Sequence, residues 1–338
     1  MGRRTRRRRW FVPYALLAPG VLWLLVFYAY PAAQVLVASF WTGSVERGFS
    51  FSLENWSNYP DAIGPVLPHF GRSIVYALAA TVLTFLIAYP LAYTMAVRAG
   101  RFKNLLLFLV VAPFFTSFLL RTISWKIILG DHGVVLGPLK DLGIVAEDFR
   151  VLATAMAVVA GITYNFLPFM TLPIYVSLEK IDLRLLEAAR DLYAGPWRPG
   201  GAIAGALVGA GLFGLLAAMF GWSILPPAVG GALAFGFIGW RFVSQSFIRV
   251  MLPLSLPGVF AGTLLTFIPA IGDYVNAEFL GSADTRMIGN VIQNRFLVQN
   301  DYPAASALSF ILMAGVLVVV AVYSRALGTT SLSTGRTI

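Results

Sequence analysis

An all-α, polytopic membrane fold is predicted by three observations. Hydrophobic residues make up 58% of the chain against 12% charged, and the mean hydropathy is +0.78, beyond the range of an ordinary water-soluble domain. Several apolar stretches reach the roughly 20 residues an α-helix needs to cross a bilayer. The ten-residue alternation of membrane β-strands is not visible. The charge then orients the chain. Of a net +10, Arg3, Arg4, Arg6, Arg7, Arg8 and Arg9 precede the first apolar segment, so residues 1–9 read as a basic tail on the cytoplasmic side. Attraction to anionic lipid headgroups explains that run better than nucleic-acid binding or an export signal, because many further spans follow it.

The membrane domain, 10–338, is read element by element. A first span runs from Trp10 to Phe27, and a polar, aromatic stretch from Trp41 to Phe70 lies outside. The chain returns from Ile74 to Val97, where Arg98, Arg101 and Lys103 mark the inner side. A third span, Leu105 to Leu129, leads to an outer loop holding Asp131, His132, Lys140, Glu147 and Asp148. A fourth, Leu152 to Val176, carries Pro168 and Pro173 and should kink there. Two more spans, Pro257 to Leu280 and Ala304 to Tyr323, complete a core of six with both termini cytoplasmic. The two histidines, His69 and His132, fall in connecting loops far apart, and with no cysteine present a metal site is not expected.

The cytoplasmic segment 179–198 carries the most specific pattern. Leu183, Leu186, Ala189 and Leu192 share one helical face, with Lys180, Arg184, Glu187, Arg190 and Asp191 on the others, which predicts a short amphipathic helix. Small Ala188 and Ala189 allow close approach of a partner, and Glu187 is a strong acceptor. The run Glu187-Ala188-Ala189-Arg190-Asp191-Leu192, with Phe247-Ile248-Arg249-Val250-Met251-Leu252-Pro253-Leu254 further on, resembles the EAA loop of ABC-importer permeases, here split in two. The resemblance implies an ATPase-coupling surface formed by Glu187, Ala188, Ala189, Arg190, Asp191, Tyr193, Gly195, Arg249, Leu252 and Pro253. Tyr193 stands where that pattern has a glycine and Val250 where it has isoleucine; Gly195-Pro196 offers another turn.

The likeness extends along the chain and favours the polyamine branch, the permease subunits of spermidine/putrescine importers. It is carried by Leu106 to Thr116 followed by Leu120-Arg121, by Leu167-Pro168-Phe169-Met170, by Leu178 to Asp182, by Ile268 to Gly272 and by Met287 to Ile292. This resemblance implies a six-helix ABC-importer permease core, a sister permease, ATPase subunits below, a soluble substrate-binding protein above, and residence in a bacterial inner membrane. It also implies no cofactor on this chain, with ATP and Mg in the partner ATPase. The chain has no Gly-x4-Gly-Lys-[Ser/Thr] loop and no catalytic constellation, so an enzyme is not expected. Permeases for iron, thiamine, sulfate or opine-like solutes remain open, as does an ion-gradient-driven secondary transporter, although the latter leaves the Glu187 run unexplained.

Between the halves, 199–245 is an insert. Two apolar stretches, Gly201 to Trp222 and Ala228 to Val243, flank the strong turn Leu225-Pro226-Pro227. An inserted membrane hairpin is expected, giving about eight helices and returning 246–254 to the cytoplasmic side; a re-entrant or interfacial pair is the alternative. Gly201, Gly205 and Gly209 have the spacing of a helix contact, with Gly230, Gly231, Gly236 and Gly239 as facing candidates.

A small organic cation needs carboxylates and aromatic faces at membrane depth. Asp273, Tyr274, Asn276 and Glu278, with Tyr164 and Asn165 on the fourth span, are the candidate pathway residues. The plainer alternatives are that Asp273 and Glu278 lie at the interface or pair with Arg121, and that Phe114 and Phe115 only pack.

Overall fold

A computed structural model describes residues 3–192, 203, 205–207, 209–211, 213–214, 217, 227–233 and 247–328. Five of the described helices are long and apolar enough to cross a bilayer: Tyr14–Ala38, Asn55–Arg98, Ala155–Glu179, Arg249–Ile271 and Tyr302–Arg325. The bent pair Gly100–Phe115 and Phe118–Ile128 makes a sixth if taken as one span. That matches the six-span core expected outside the insert. The chain divides into two compact units, Met1–Leu67 with Val291–Val322, and Pro68–Asn290 with Tyr323–Ile338.

In the first unit, α1 (Arg3–Leu24) passes through a π turn, Leu25–Ala29, into α2 (Tyr30–Ala38). The first span therefore ends some ten residues later than Phe27, and helix also covers the arginine run. Residues 28–38 hold no charged residue and no glycine, and Pro31 falls in the first turn of α2, where proline is tolerated, so the apolar helix runs on to Ala38. The antiparallel strands β1 (Trp41–Ser44) and β2 (Gly48–Phe51) follow, pairing Trp41 with Phe51, and they are the exception to the all-α expectation. The hairpin turns over residues 45–47, and inside β1 the φ of +128° at Gly43 and its closeness to the Gly48 carbonyl exclude a side chain. Phe40 anchors it, with the rings of Trp56 and Tyr59 at 5.2 and 5.8 Å and amides from Asn55 and Asn58 closing the backbone around it. A short α3 (Asn58–Ile63) ends this segment.

The second unit holds α4 (Leu67–Tyr93), α5 (Lys103–Val111), α6 (Phe118–Ile128), α7 (Leu136–Asp141), α8 (Ala155–Glu179), α9 (Leu183–Leu192), α10 (Leu252–Ile271) and α11 (Val275–Leu280). Helices α12 (Ile288–Leu297) and α13 (Tyr302–Gly328) each run from one unit's residues into the other's. His69 lies in the first turn of α4 rather than in a loop. The expected third span is not one straight helix: α5 and α6 meet at 96°. Pro113 cannot continue the α5 hydrogen-bond ladder, and Thr116 turns extended, φ −104° and ψ 148°, with its hydroxyl on the Pro113 carbonyl at 2.7 Å.

Helix α8 is the axis of this unit. The side chain of Thr154 caps its first turn by accepting from the Ala157 N–H at 3.2 Å, and the helix continues through Pro168 and Pro173. Its main partner is α10, whose Gly258 and Gly262 are four apart. A methyl on Gly258 would overlap the Pro173 carbonyl and the Ser177 side chain, and one on Gly262 would lie 2.8 Å from the Met170 sulfur. Small residues thus allow the two backbones to touch, the device by which membrane helices associate where no water is expelled. Tyr89 of α4 joins the pair through a 2.8 Å hydrogen bond to Ser255.

Candidate functional site

Two regions of the second unit hold the candidate residues, the face expected to couple to an ATPase and a polar cluster. The coupling face begins at α9. Asp182 starts it, its carboxylate accepting from the Arg184 N–H at 2.9 Å. Glu187, Ala188 and Asp191 are exposed on it. The other half of the split run, Phe247–Met251, is a π turn leading into α10, with Leu252 and Pro253 in the first turn. The turn packs against α9, although the sequence holds them about sixty residues apart. Arg249 is exposed there. Tyr193 and Gly195 lie outside the described residues, as do Pro196, Arg198, Pro226, Gly201, Gly236 and Gly239, and for Ala189 and Arg190 only the backbone is described.

The turn is seated on a closed apolar cluster. Met251 is 2% exposed among Met95, Ala92 and Tyr89 of the α4 region, Val110 of α5, and Met170, Ile174 and Leu178 of α8, with Phe247, Ile181 and Leu252 against its edge. Phe247 meets the Tyr89 and Tyr93 rings edge-on at 5.5 and 6.4 Å. Close-packed side chains are hard to compress, so a displacement of the turn is passed to α4, α8 and α10. Lys103 pairs with Glu179 and lies 5.5 Å over the Tyr175 ring, tying α5 to the end of α8 beside α9.

Within the insert, residues 203, 205–207, 209–211, 213–214 and 217 are helical, as are 227–233, and the two come together: a methyl on Gly231 would overlap the Gly209 carbonyl and meet Phe213 at 2.6 Å.

The polar cluster forms where α10 stops at Ile271 and α11 starts at Val275. Asp273 is buried, accepting from the Asn276 N–H at 3.0 Å and from its side-chain amide at 2.6 Å. Asn276, fully buried, accepts from the Asn165 amide at 3.1 Å and the Thr122 hydroxyl at 3.4 Å, linking α11 to α8 and α6. Gly161, one turn before Asn165, makes room: a methyl there would be 2.6 Å from the Asn276 oxygen. Asp273 and Asn276 therefore face inward and hold helices together.

Tyr274 and Glu278, one turn apart, are exposed, and Tyr164 is half-buried beside Trp125 at 5.2 Å. Asn290 of α12 is 2% exposed; its amide donates to the Tyr274 carbonyl at 2.9 Å and the Glu278 carboxylate at 3.1 Å. Arg121 pairs with neither acid among the described residues; its guanidinium lies 5.7 and 5.8 Å from the Phe114 and Phe118 ring centres. Phe114 packs edge-on with Phe169, while Phe115 is 83% exposed.

Sequence reasoning passed over Thr122, Gly161, Gly289 and the Gly258/Gly262 pair. Only the last carries a local signal, its spacing of four.

The fold defines a class, a helical protein with several membrane-length spans. The family model described as the inner membrane component of binding-protein-dependent transport systems matches residues 243–327. A solved structure of a bacterial ABC transporter involved in the import of the acidic polysaccharide alginate shares the fold, with a TM-score of 0.58 at 16% identity and 96% of each chain covered. At finer range, the spermidine/putrescine transport system permease protein PotB of Haemophilus influenzae is 36% identical over 307 residues, 90% of each chain. PotB of Escherichia coli is 32% identical over 308 residues, covering 90% of this chain and 94% of its own. The chain belongs to the PotB family of transport-system permeases, multi-pass inner-membrane transport subunits rather than enzymes.

Proposed function

We propose that this chain is one of two permease subunits of an ATP-driven importer for a polyamine of the spermidine/putrescine class. The observation that carries the reading is the 36% identity to a spermidine/putrescine permease over 90% of both chains. The substrate arrives on a soluble binding protein at the outer face. A sister permease completes the pathway, and ATPase subunits, which hold ATP and Mg, dock on α9 and the Phe247–Met251 turn. Both termini lie in the cytoplasm, consistent with the arginines before the first span. ATPase closure moves the turn, the Met251 cluster transmits it to α4, α8 and α10, and the helices alternate between outward and inward access. Tyr274 and Glu278 supply an aromatic face and a carboxylate for a passing ammonium, while Asp273, Asn276 and Asn165 hold the walls.

The test is reconstitution of the complex in proteoliposomes with the binding protein outside and ATP inside. Uptake of radiolabelled spermidine or putrescine that requires ATP and the partner ATPase is the expected result. Uptake that persists without the ATPase, driven by an ion gradient, would overturn the importer reading; ATP-dependent uptake of a different solute only would overturn the substrate.

A further inference from the structure

We infer that Asn290 is a positioning residue that holds the Glu278 carboxylate at the entrance of the cation path. This rests on the reading of Glu278 as a pathway carboxylate. Glu278 is exposed at the end of a long flexible side chain on a helix of only six residues, and such a group has no fixed direction of its own. Asn290 supplies the direction. One N–H of its amide goes to the Tyr274 carbonyl at 2.9 Å and one to Glu278 Oε2 at 3.1 Å, while its Oδ1 accepts from the Met287 N–H at 3.1 Å. Both amide donors are thus committed, and the amide cannot be flipped without setting oxygen against two acceptors and nitrogen against a donor. Asn290 itself is 2% exposed, so its amide has little access to water as an alternative partner.

The neighbouring residues fix Asn290 in turn. Gly289 lets the start of α12 reach the break between α10 and α11, since a methyl there would overlap the Gly272 carbonyl and lie 3.2 Å from Tyr274 Cβ. The Ile288 N–H donates to Ser73 Oγ at 2.8 Å, and Arg72 donates to the Arg286 carbonyl at 2.9 Å, so the segment before Asn290 is tied to α4. One Glu278 oxygen is held, and the other has no donor among the described residues, which leaves it for a ligand. The arrangement presents a carboxylate and the Tyr274 ring on one helical face, i and i+4, to an alkylammonium.

The decisive experiment is a double-mutant cycle in the reconstituted complex, reading spermidine molecules moved per ATP hydrolysed with saturating loaded binding protein. That ratio counts only complexes that hydrolyse, so a fraction of misfolded protein does not enter it. Asn290→Asp keeps the shape and the acceptor for Met287 but loses both donors and faces Glu278 with a second carboxylate; Asn290→Ser repeats the loss without the added charge. Each should lower the ratio about 10-fold, the effect of losing one charge-assisted bond. In a Glu278→Gln background, itself lowered, Asn290→Ser should change the ratio by less than about twofold, because both act through one group. An equal fall in both backgrounds would overturn the positioning role while leaving Glu278 in the path. An unchanged ratio for Glu278→Gln would instead overturn the pathway reading on which it rests.

Discussion

Replacing Asn276 with leucine tests the tie between α11 and the spanning helices. The side chain is fully buried, similar in size to leucine, and makes a 2.6 Å bond to the Asp273 carboxylate and a 3.1 Å bond from the Asn165 amide. A bond to a charged group contributes about 1.5–3 kcal/mol and a neutral one about 1 kcal/mol. Hydrogen bonds between membrane helices average lower, about 0.6 kcal/mol, because the unfolded chain in the membrane also finds partners. Balancing these, Asn276→Leu should destabilise by about 2–3 kcal/mol, chiefly through the Asp273 carboxylate left buried with one donor fewer. Thr122→Val, which removes contacts at 3.3 and 3.4 Å, should cost about 0.5 kcal/mol. Unfolding of the purified complex in mixed micelles reads both. A loss below about 1 kcal/mol for Asn276→Leu, or a larger loss for Thr122→Val, would refute the assignment of the cluster as a structural tie.

Other outcomes follow from the same geometry. Gly258→Ala should destabilise by about 1–3 kcal/mol and more than Gly262→Ala, because the first comes within 2.4 Å of the Pro173 carbonyl while the second comes no nearer to the α8 backbone than 3.0 Å, at the Met170 carbonyl; thermal stability in detergent ranks them. Glu187→Lys reverses the charge on the exposed face of α9 and should sharply reduce recovery of the ATPase subunit with the tagged permease, with uptake falling in parallel. Pro226→Cys introduces the only thiol in the chain, and if the insert spans the membrane an impermeant maleimide labels it from outside intact cells; labelling only after lysis would place the turn inside.

The six-span core was legible because apolar length is a strong signal in a membrane, where every backbone polar group must be satisfied within its own helix. Boundaries were less so. The bend at Thr116 needs Pro113 together with an extended residue three positions on, and hydropathy does not register backbone direction. The coupling run was readable from its residue types, and so was the possibility that its halves rejoin. The difference between Asp273 and Glu278 was not readable: both are acids five residues apart, but one caps a helix inside the protein and the other stands exposed. That distinction arises from Asn290 and Asn165, which come from other helices and leave no trace in the local sequence.

The distance along the chain between α9 and the Phe247–Met251 turn also sets an order of events during synthesis. At roughly 5–20 residues per second, the ribosome delivers the turn about 3–12 s after Glu187, and only once the insert has been made. Until then α9 has neither its neighbour nor the seat around Met251 complete. A nascent chain therefore displays half a face, and an ATPase that requires both halves cannot be captured by an unfinished permease. The expected outcome of a pulse-labelled pull-down is that chains stalled before residue 251 do not recover the ATPase and chains stalled well beyond it do.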